Sequence, residues 1–453
     1  MRKEWIIFLV ASIVMSSDPL SQAFGQVLVW DEVGEMNISD GIKPVIPAFE
    51  ETTVRYKRSG NSLLNILLKK PVLVSVANKE EGWGFFQFPK IAKTNTGKLV
   101  AQWNMAKDAV ESYGKGGYLR AESSDGGRTW YPVPKTMEPA YGLRLKNDDL
   151  LSIYRPKALK VSELNLPAPI DSAEIKKGSF FKFFRLNELP DQLKGVYFYR
   201  LPNGSSKWVY EHAILEDVKA VRYAVNDFFP VMWFGDMRAT NDGNIYAGIY
   251  PGFYEEANGK VKASGILFYC SKDKGKSWKI QGRIPYEPDL KLDINGYKRK
   301  VLGFTEPAFE VLKDGSFICI MRTSDGITGF TPMYRARSTD KGVTWSKPVA
   351  FTKAGVLPRI LQLENGVTVL AAGRPGVQLR FSVDEKGERW TDPVEMLPYD
   401  AANIKDAVSC GYPELVATGS NSFLLIYSDF KHKNEKGEIR KAIKVREIIV
   451  NKI

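Results

Sequence analysis

Histidine is nearly absent. The 453 residues contain only His212 and His432. Zinc sites and Ser-His-Asp triads draw on imidazole, so both chemistries are left with almost no material. Cysteine is scarce too. Cys270, Cys319 and Cys410 each lie in an apolar stretch, which reads as buried free thiols rather than a disulfide framework. Long apolar runs are confined to the start of the chain. There Arg2 and Lys3 precede an apolar run over 5–15, and Ala23-Phe24-Gly25 offers small residues for cleavage. A run that short reads as a cleavable export signal over residues 1–25 rather than a membrane span. No cysteine follows it to carry a lipid anchor, so a secreted or periplasmic protein without stable membrane insertion is expected. "GKGG" at 114–117 lacks the spacing of a phosphate-binding loop. "EPDLKLDING" at 287–296 has carboxylates for Ca2+ but not the EF-hand pattern. No cofactor or metal is expected. The formal charge is +12, and the export segment leaves it unchanged because Arg2 and Lys3 cancel Glu4 and Asp18. The basic residues are dispersed without a long run, so nucleic acid is not an expected partner.

Aromatic residues make up 12% of the chain. Short runs of Val, Ile, Leu, Phe and Tyr alternate with Gly, Asp and Asn clusters, the pattern of strands and turns rather than helices. Two motifs recur. The first is an octamer: "SSDGGRTW" at 123–130, "SKDKGKSW" at 271–278 and "STDKGVTW" at 338–345, with "SVDEKGERW" at 382–390 carrying one extra residue. Asp accepts backbone N–H bonds, Gly takes a left-handed turn position and Trp packs inward, so the octamer reads as a structural turn. The second motif sets a Pro eight residues before a Gly: Pro89 and Gly97, Pro307 and Gly315, Pro358 and Gly366. Partial copies start at Gly235 and Tyr412, and "EPAYGLRLKNDDLLSIYR" at 138–155 reads as a sixth. Each copy is a hairpin. Six hairpins extended to four strands, packed radially so that edges and apolar faces are covered, predict an all-β, six-bladed β-propeller over 26–453 with an insertion around 155–230.

The octamers resemble the Asp-boxes (BNR repeats) of the sialidase, or neuraminidase, superfamily, and the resemblance runs from about Trp83 to the C-terminus. In that family a Glu followed sixteen residues later by an Arg brackets a hairpin before an Asp-box; Glu306 and Arg322 stand so. A second Arg precedes the next box, as Arg374 precedes Ser382, and a Tyr opens the last blade, as Tyr412 does. The acid/base Asp sits in a loop of the first blade, where Asp108 lies in "NMAKDAVESYG". One departure stands out. The family opens its first blade with Arg-Ile-Pro, and here Gln87 occupies the place of that Arg. Arg155 holds the position in its own repeat that Arg322 holds in the fourth, which would direct it to the same face. The Arg-Leu-Pro of "FYRLPNGS" at 198–205 reads instead as part of a hairpin tip, because Asn-Gly follows it.

The resemblance implies a retaining exo-glycosidase with Tyr412 as nucleophile, Glu306 as its base and Asp108 as acid/base. Arg322, Arg374, Gln87 and Arg155 would contact the substrate. The physical rationale is that a sugar bearing a carboxylate on the anomeric carbon repels a carboxylate nucleophile, whereas a neutral phenol does not carry that charge. Three readings follow: a sialidase-like hydrolase releasing terminal sialic acid or a related acidic sugar, a glycosidase or lyase of the same superfamily acting on another glycan, and a carbohydrate-binding propeller without turnover. Gln87 favours the second. The expected partner is a glycan, and the expected state is a monomer.

Overall fold

The computed structural model describes residues 27–31 and 50–453, apart from short stretches at 59–60, 95, 113, 115–116, 137–138, 140–141, 232, 325–329, 398 and 400–406. The expected export signal lies outside the described residues. The chain is all-β, with only isolated single 3-10 turns as helix among the described residues.

Three sheets are four-stranded antiparallel meanders in chain order. One runs Phe85–Lys93, Leu99–Met105, Tyr118–Ser123 and Tyr131–Thr136. The next runs Phe304–Val311, Phe317–Thr323, Met333–Ser338 and Val349–Ala350, and the third Val356–Gln362, Thr368–Gly373, Val377–Ser382 and Val394–Glu395. Two further meanders merge into one 13-stranded sheet. The first spans Leu143–Arg144, Leu150–Ile153, Val196–Leu201 and Val209–Glu216, and the second Phe234–Ala239, Ile245–Tyr254, Gly265–Ser271 and Ser277–Ile284. They join where Ile214 pairs in parallel with Ser277. The last sheet takes strands from both ends of the described chain: Glu414–Ala417, Ser422–Lys433 and Ile439–Lys452 are extended by Asn61–Leu68 and Val72–Val76, which pair with Ile439–Lys452.

The segment read as an insertion around 155–230 divides. Val196–Leu201 and Val209–Glu216 are a hairpin of the second meander. Only the flanking residues form an added sheet, in which Ser179–Arg185 pairs with Asp171–Lys176 and with Ala220–Val225. That sheet is carried on the extended end of Ile245–Tyr254 through Ala220 and Val221. Arg200, in the Arg-Leu-Pro stretch, ion-pairs with Asp149 at 3.2 Å and Glu211 at 2.7 Å, which fixes a hairpin.

The sheets pack face to face through apolar side chains. Ala308, Ile318 and Ile320 of one sheet meet Ile360, Leu370 and Trp390 of the next, and Tyr246, Ile266 and Phe268 meet Phe304, Phe309 and Phe317. Each such fully buried side chain contributes about 1.5–3 kcal/mol. The octamers are the turns between third and fourth strands. In each, Ser Oγ donates to the Asp carboxylate and the Trp indole N–H donates to the Gly carbonyl, for example Ser271 to Asp273 and Trp278 to Gly275. The longer copy keeps the Ser382–Asp384 and Trp390–Gly387 bonds while Asp384 takes three backbone N–H groups, those of Lys386, Glu388 and Arg389. The turns lie at the far ends of their strands from the site below: Ser338 pairs with Phe317, whereas Arg322 pairs with Met333 at the other end.

Candidate active site

The recurring Pro lies within the first strand of its sheet, and the strand is irregular there. Register shifts fall between Phe85 and Lys90, Thr305 and Ala308, and Val356 and Arg359. The residue before each Pro has positive φ: Phe88 at 53°, Glu306 at 45° and Leu357 at 39°. A side chain in this left-handed region costs about 1–3 kcal/mol, and such strain persists only where the surroundings fix it. The bulges aim Phe88, Glu306 and the Leu357 amide at one place, where Tyr412, itself before Pro413, also stands.

Glu306 and Tyr412 share a short hydrogen bond, phenol O–H to Oε1. Arg322 Nη1 lies 3.0 Å from that same oxygen and 3.2 Å from the phenol oxygen. The other carboxylate oxygen accepts the Leu357 N–H at 2.9 Å. Glu306 is 6% exposed. Burial alone raises its pKa, but the Arg322 charge and the hydrogen bonds from Tyr412, Arg322 and Leu357 outweigh burial and hold it below the ordinary carboxylate value. Tyr412 is pushed well above the usual phenol range, first by burial and then by the adjacent Glu306 charge. At rest the proton therefore belongs to the phenol and the charge to the carboxylate.

Arg374 lies between two rings, its guanidinium carbon 5.6 Å from the Tyr412 centroid and 5.4 Å from that of Trp83. Its Nε donates to the Cys410 carbonyl at 3.2 Å. Gly411 makes this possible, because a Cβ there would meet Arg374 Cγ at 2.9 Å. Trp83 in turn donates its indole N–H to Asp108 at 2.9 Å. The loop bearing Asp108 is held down by Asn104, which donates to the carbonyls of Gly84 and Ala106, both at 2.7 Å. Gly84 is needed there: at φ 95° its missing Cβ would lie 2.3 Å from Ala106 O and 2.6 Å from the Asp108 amide.

The structure thus brings together Glu306, Arg322, Arg374 and Tyr412, with Asp108 joined to them through Trp83. Gln87 is not among them. It is fully buried, and its side-chain oxygen accepts the Gly84 N–H at 3.1 Å. Two register shifts flank it, and each one-residue slip exchanges the faces of a strand, so Gln87 turns into the sheet and Phe88 takes the site, its ring 4.9 Å from that of Tyr412. Arg155 lies apart from the Glu306–Tyr412 pair, lining a cavity with Asp108 and Phe88. Among the aromatics of this region Phe86 and Trp103 are core, and Trp233 is a core residue that also edges the cavity. Trp83 stays 43% exposed at the site; its tie to Asp108 depends on loop closure and has no motif. The carboxylate of Asp293, in the stretch considered for Ca2+, is taken by Arg299 at 2.5 and 3.1 Å and by the Tyr334 hydroxyl at 2.8 Å.

No family model matches the chain, and no curated protein matches it. Among solved structures it is similar to a protein of unknown function from Dyadobacter fermentans, with 18% identity and a TM-score of 0.58 over 85% of this chain and 99% of that one. It is also similar to an alpha-L-arabinanase from Penicillium chrysogenum, at 16% identity and TM-score 0.47, covering 83% and 98% of the two chains. The NanB sialidase from Streptococcus pneumoniae follows at 14% and 0.44, covering 84% and 70%. The likeness is one of fold, and the Dyadobacter fermentans protein carries it.

Proposed function

We propose that the chain is an exported retaining glycosidase on a six-bladed β-propeller, releasing a terminal sialic acid or related acidic sugar. The observation that carries this reading is the phenol–carboxylate pair of Tyr412 and Glu306 with Arg322 Nη1 within 3.2 Å of both oxygens. A free phenol is a poor nucleophile, since moving its proton to a carboxylate in water is uphill by about six pKa units, ~8 kcal/mol. Burial of Tyr412 beside a carboxylate, and the Arg322 charge on Glu306, make that transfer harder still. A substrate carboxylate bound by Arg322 and Arg374 changes the balance. It draws on the positive charge that holds the Glu306 pKa down, so Glu306 becomes a stronger base as the sugar arrives.

The Tyr412 oxygen then bonds to the anomeric carbon as its proton passes to Glu306. The bond to the leaving oxygen breaks as Asp108 protonates that oxygen. In the second half Asp108 removes a proton from water, water displaces the phenolate, and Glu306 returns the proton to Tyr412. Trp83 positions Asp108 for both steps. Fluorogenic release from a sialoside tests this: turnover in the native protein and its loss in Tyr412→Phe are expected, and equal turnover in both contradicts it.

A second reading is favoured by Gln87, which is buried on the Gly84 N–H and brings no charge where the family carries an Arg, beside Arg322 and Arg374. It is a glycosidase or lyase of the same architecture acting on another glycan. Product from uronic-acid or rhamnose-containing glycans, with none from sialosides, selects it.

A further inference from the structure

Apolar clusters fill the contacts between most consecutive sheets, but among the described residues none joins the sheet of Phe85–Thr136 to that of Leu143–Glu216. A cavity of about 580 Å3 is lined by residues of both sheets and of the first strands of others, a volume in the ~300–1,000 Å3 range of small-ligand sites. Asp108 and Phe88 line it too, so it is continuous with the site above. Its wall is polar. Gln102, 7% exposed, and Asp236 both line it, and each carries a buried side-chain oxygen, Gln102 Oε1 and Asp236 Oδ2, with no hydrogen-bond partner among the described residues. Buried acceptors left so cost about 1–3 kcal/mol each and call for donors.

Lys90 lies on the same wall, directly across the strand pair from Gln102. The acids that face it are tied to other cations: Asp236 and Glu310 to Arg238 at 2.6 and 3.3 Å, Glu414 to Arg359 at 2.9 Å. Burial first, then the charges of Arg155 and Arg359, lower the Lys90 pKa to about 7, against smaller opposing effects of Glu414 and Asp236. At this ammonium the Arg155 and Arg359 charges outweigh those of Glu414 and Asp236. A bound anion would relieve this excess.

We propose that this cavity is a second binding site for an anionic, hydroxylated sugar unit, its acid group held by Lys90 beside Arg155 and its hydroxyls donated to Gln102 and Asp236. The identity of the ligand as a sugar rests on the glycosidase reading; the preference for a hydroxylated anion does not. The acid group is a carboxylate or a sulfate ester, which share the charge and the acceptor oxygens.

Calorimetric titration of Tyr412→Phe protein tests the site without turnover, using glucuronic acid, a glucose sulfate ester and methyl glucoside as probes. Acidic sugars are expected to bind more tightly than methyl glucoside and to take up a proton near neutral pH. Affinity should fall about tenfold from pH 6 to pH 8, the change one ammonium titrating near 7 gives by linkage. The stronger of the two acidic probes identifies the acid group. Lys90→Met should abolish the preference. Lys90→Arg should keep it while removing the pH dependence, which a merely structural lysine would not do. Equal binding of acidic and neutral sugars, no binding by any probe, or a preference unchanged in Lys90→Met overturns the inference. Sialoside turnover by the native protein together with any of these retains the proposed function and removes this site. Lys90-dependent binding without turnover of any glycoside does the reverse.

Discussion

Replacing Glu306 by Gln removes one negative charge from a pair whose side chains are only 7% and 13% exposed. The Arg322 guanidinium then remains buried against a neutral amide. Breaking a buried pair by removing one partner costs about 3–5 kcal/mol, most of it the penalty on the charge left behind. Gln keeps one acceptor oxygen for Arg322 or Tyr412, so a loss near 3 kcal/mol is expected for Glu306→Gln at pH 7. Urea unfolding followed by tryptophan fluorescence measures it. Removing the stranded charge as well, in Glu306→Gln with Arg322→Met, should recover 1 kcal/mol or more, a coupling typical of residues in contact. The pH dependence has a definite sign. The folded-state pKa of Glu306 lies below its unfolded value, so its contribution is full above the unfolded value and is lost as pH falls through the folded one. The gap between native and Glu306→Gln protein should therefore narrow in acid. A gap under about 0.5 kcal/mol at pH 7, or one that stays constant down to pH 3, refutes the assignment of a charged, ion-paired Glu306.

Trp83→Ala removes the hydrogen bond to Asp108 and one ring from Arg374; kcat is expected to fall by up to about 10²-fold, the lower end of what a positioned acid/base contributes, with thermal stability nearly unchanged because Trp83 is exposed. Gln87→Arg should not supply a third guanidinium. It places a charge where Gln87 is fully buried, so a drop in melting temperature without tighter sialoside binding is expected, read by calorimetry and KM. Asp293→Ala leaves Arg299 buried without its partner and should cost about 3–5 kcal/mol in urea unfolding.

The strand order and the turns could be read from the sequence because each depends on local chemistry. Asp and Gly at fixed offsets make the octamer turns, and the Pro–Gly spacing marks hairpins. In the structure the same Pro also marks the site, since the residue before it is the one a bulge turns toward Tyr412: Phe88, Glu306 and Leu357. What was not legible depends on faces rather than order. Gln87 and Phe88 are adjacent, and only the two register shifts decide which of them meets Tyr412. Trp83 is a lone aromatic until Gly84 allows the Asp108 loop to close on it. Lys90 reads as a surface lysine in a strand, because the charges around it come from residues more than sixty positions away. The segment 155–230 misled for a related reason: two of its strands belong to a meander whose first hairpin precedes the insertion.

The central claim is that Tyr412 attacks the sugar. A glycoside with fluorine beside the anomeric carbon slows breakdown of a covalent intermediate, and peptide mass spectrometry then locates the adduct. A sugar adduct on the peptide bearing Tyr412, absent in Tyr412→Phe and unable to accumulate in Glu306→Gln, is the predicted result. Steady turnover of the parent glycoside with the adduct on any other residue, or undiminished turnover in Tyr412→Phe, would contradict it.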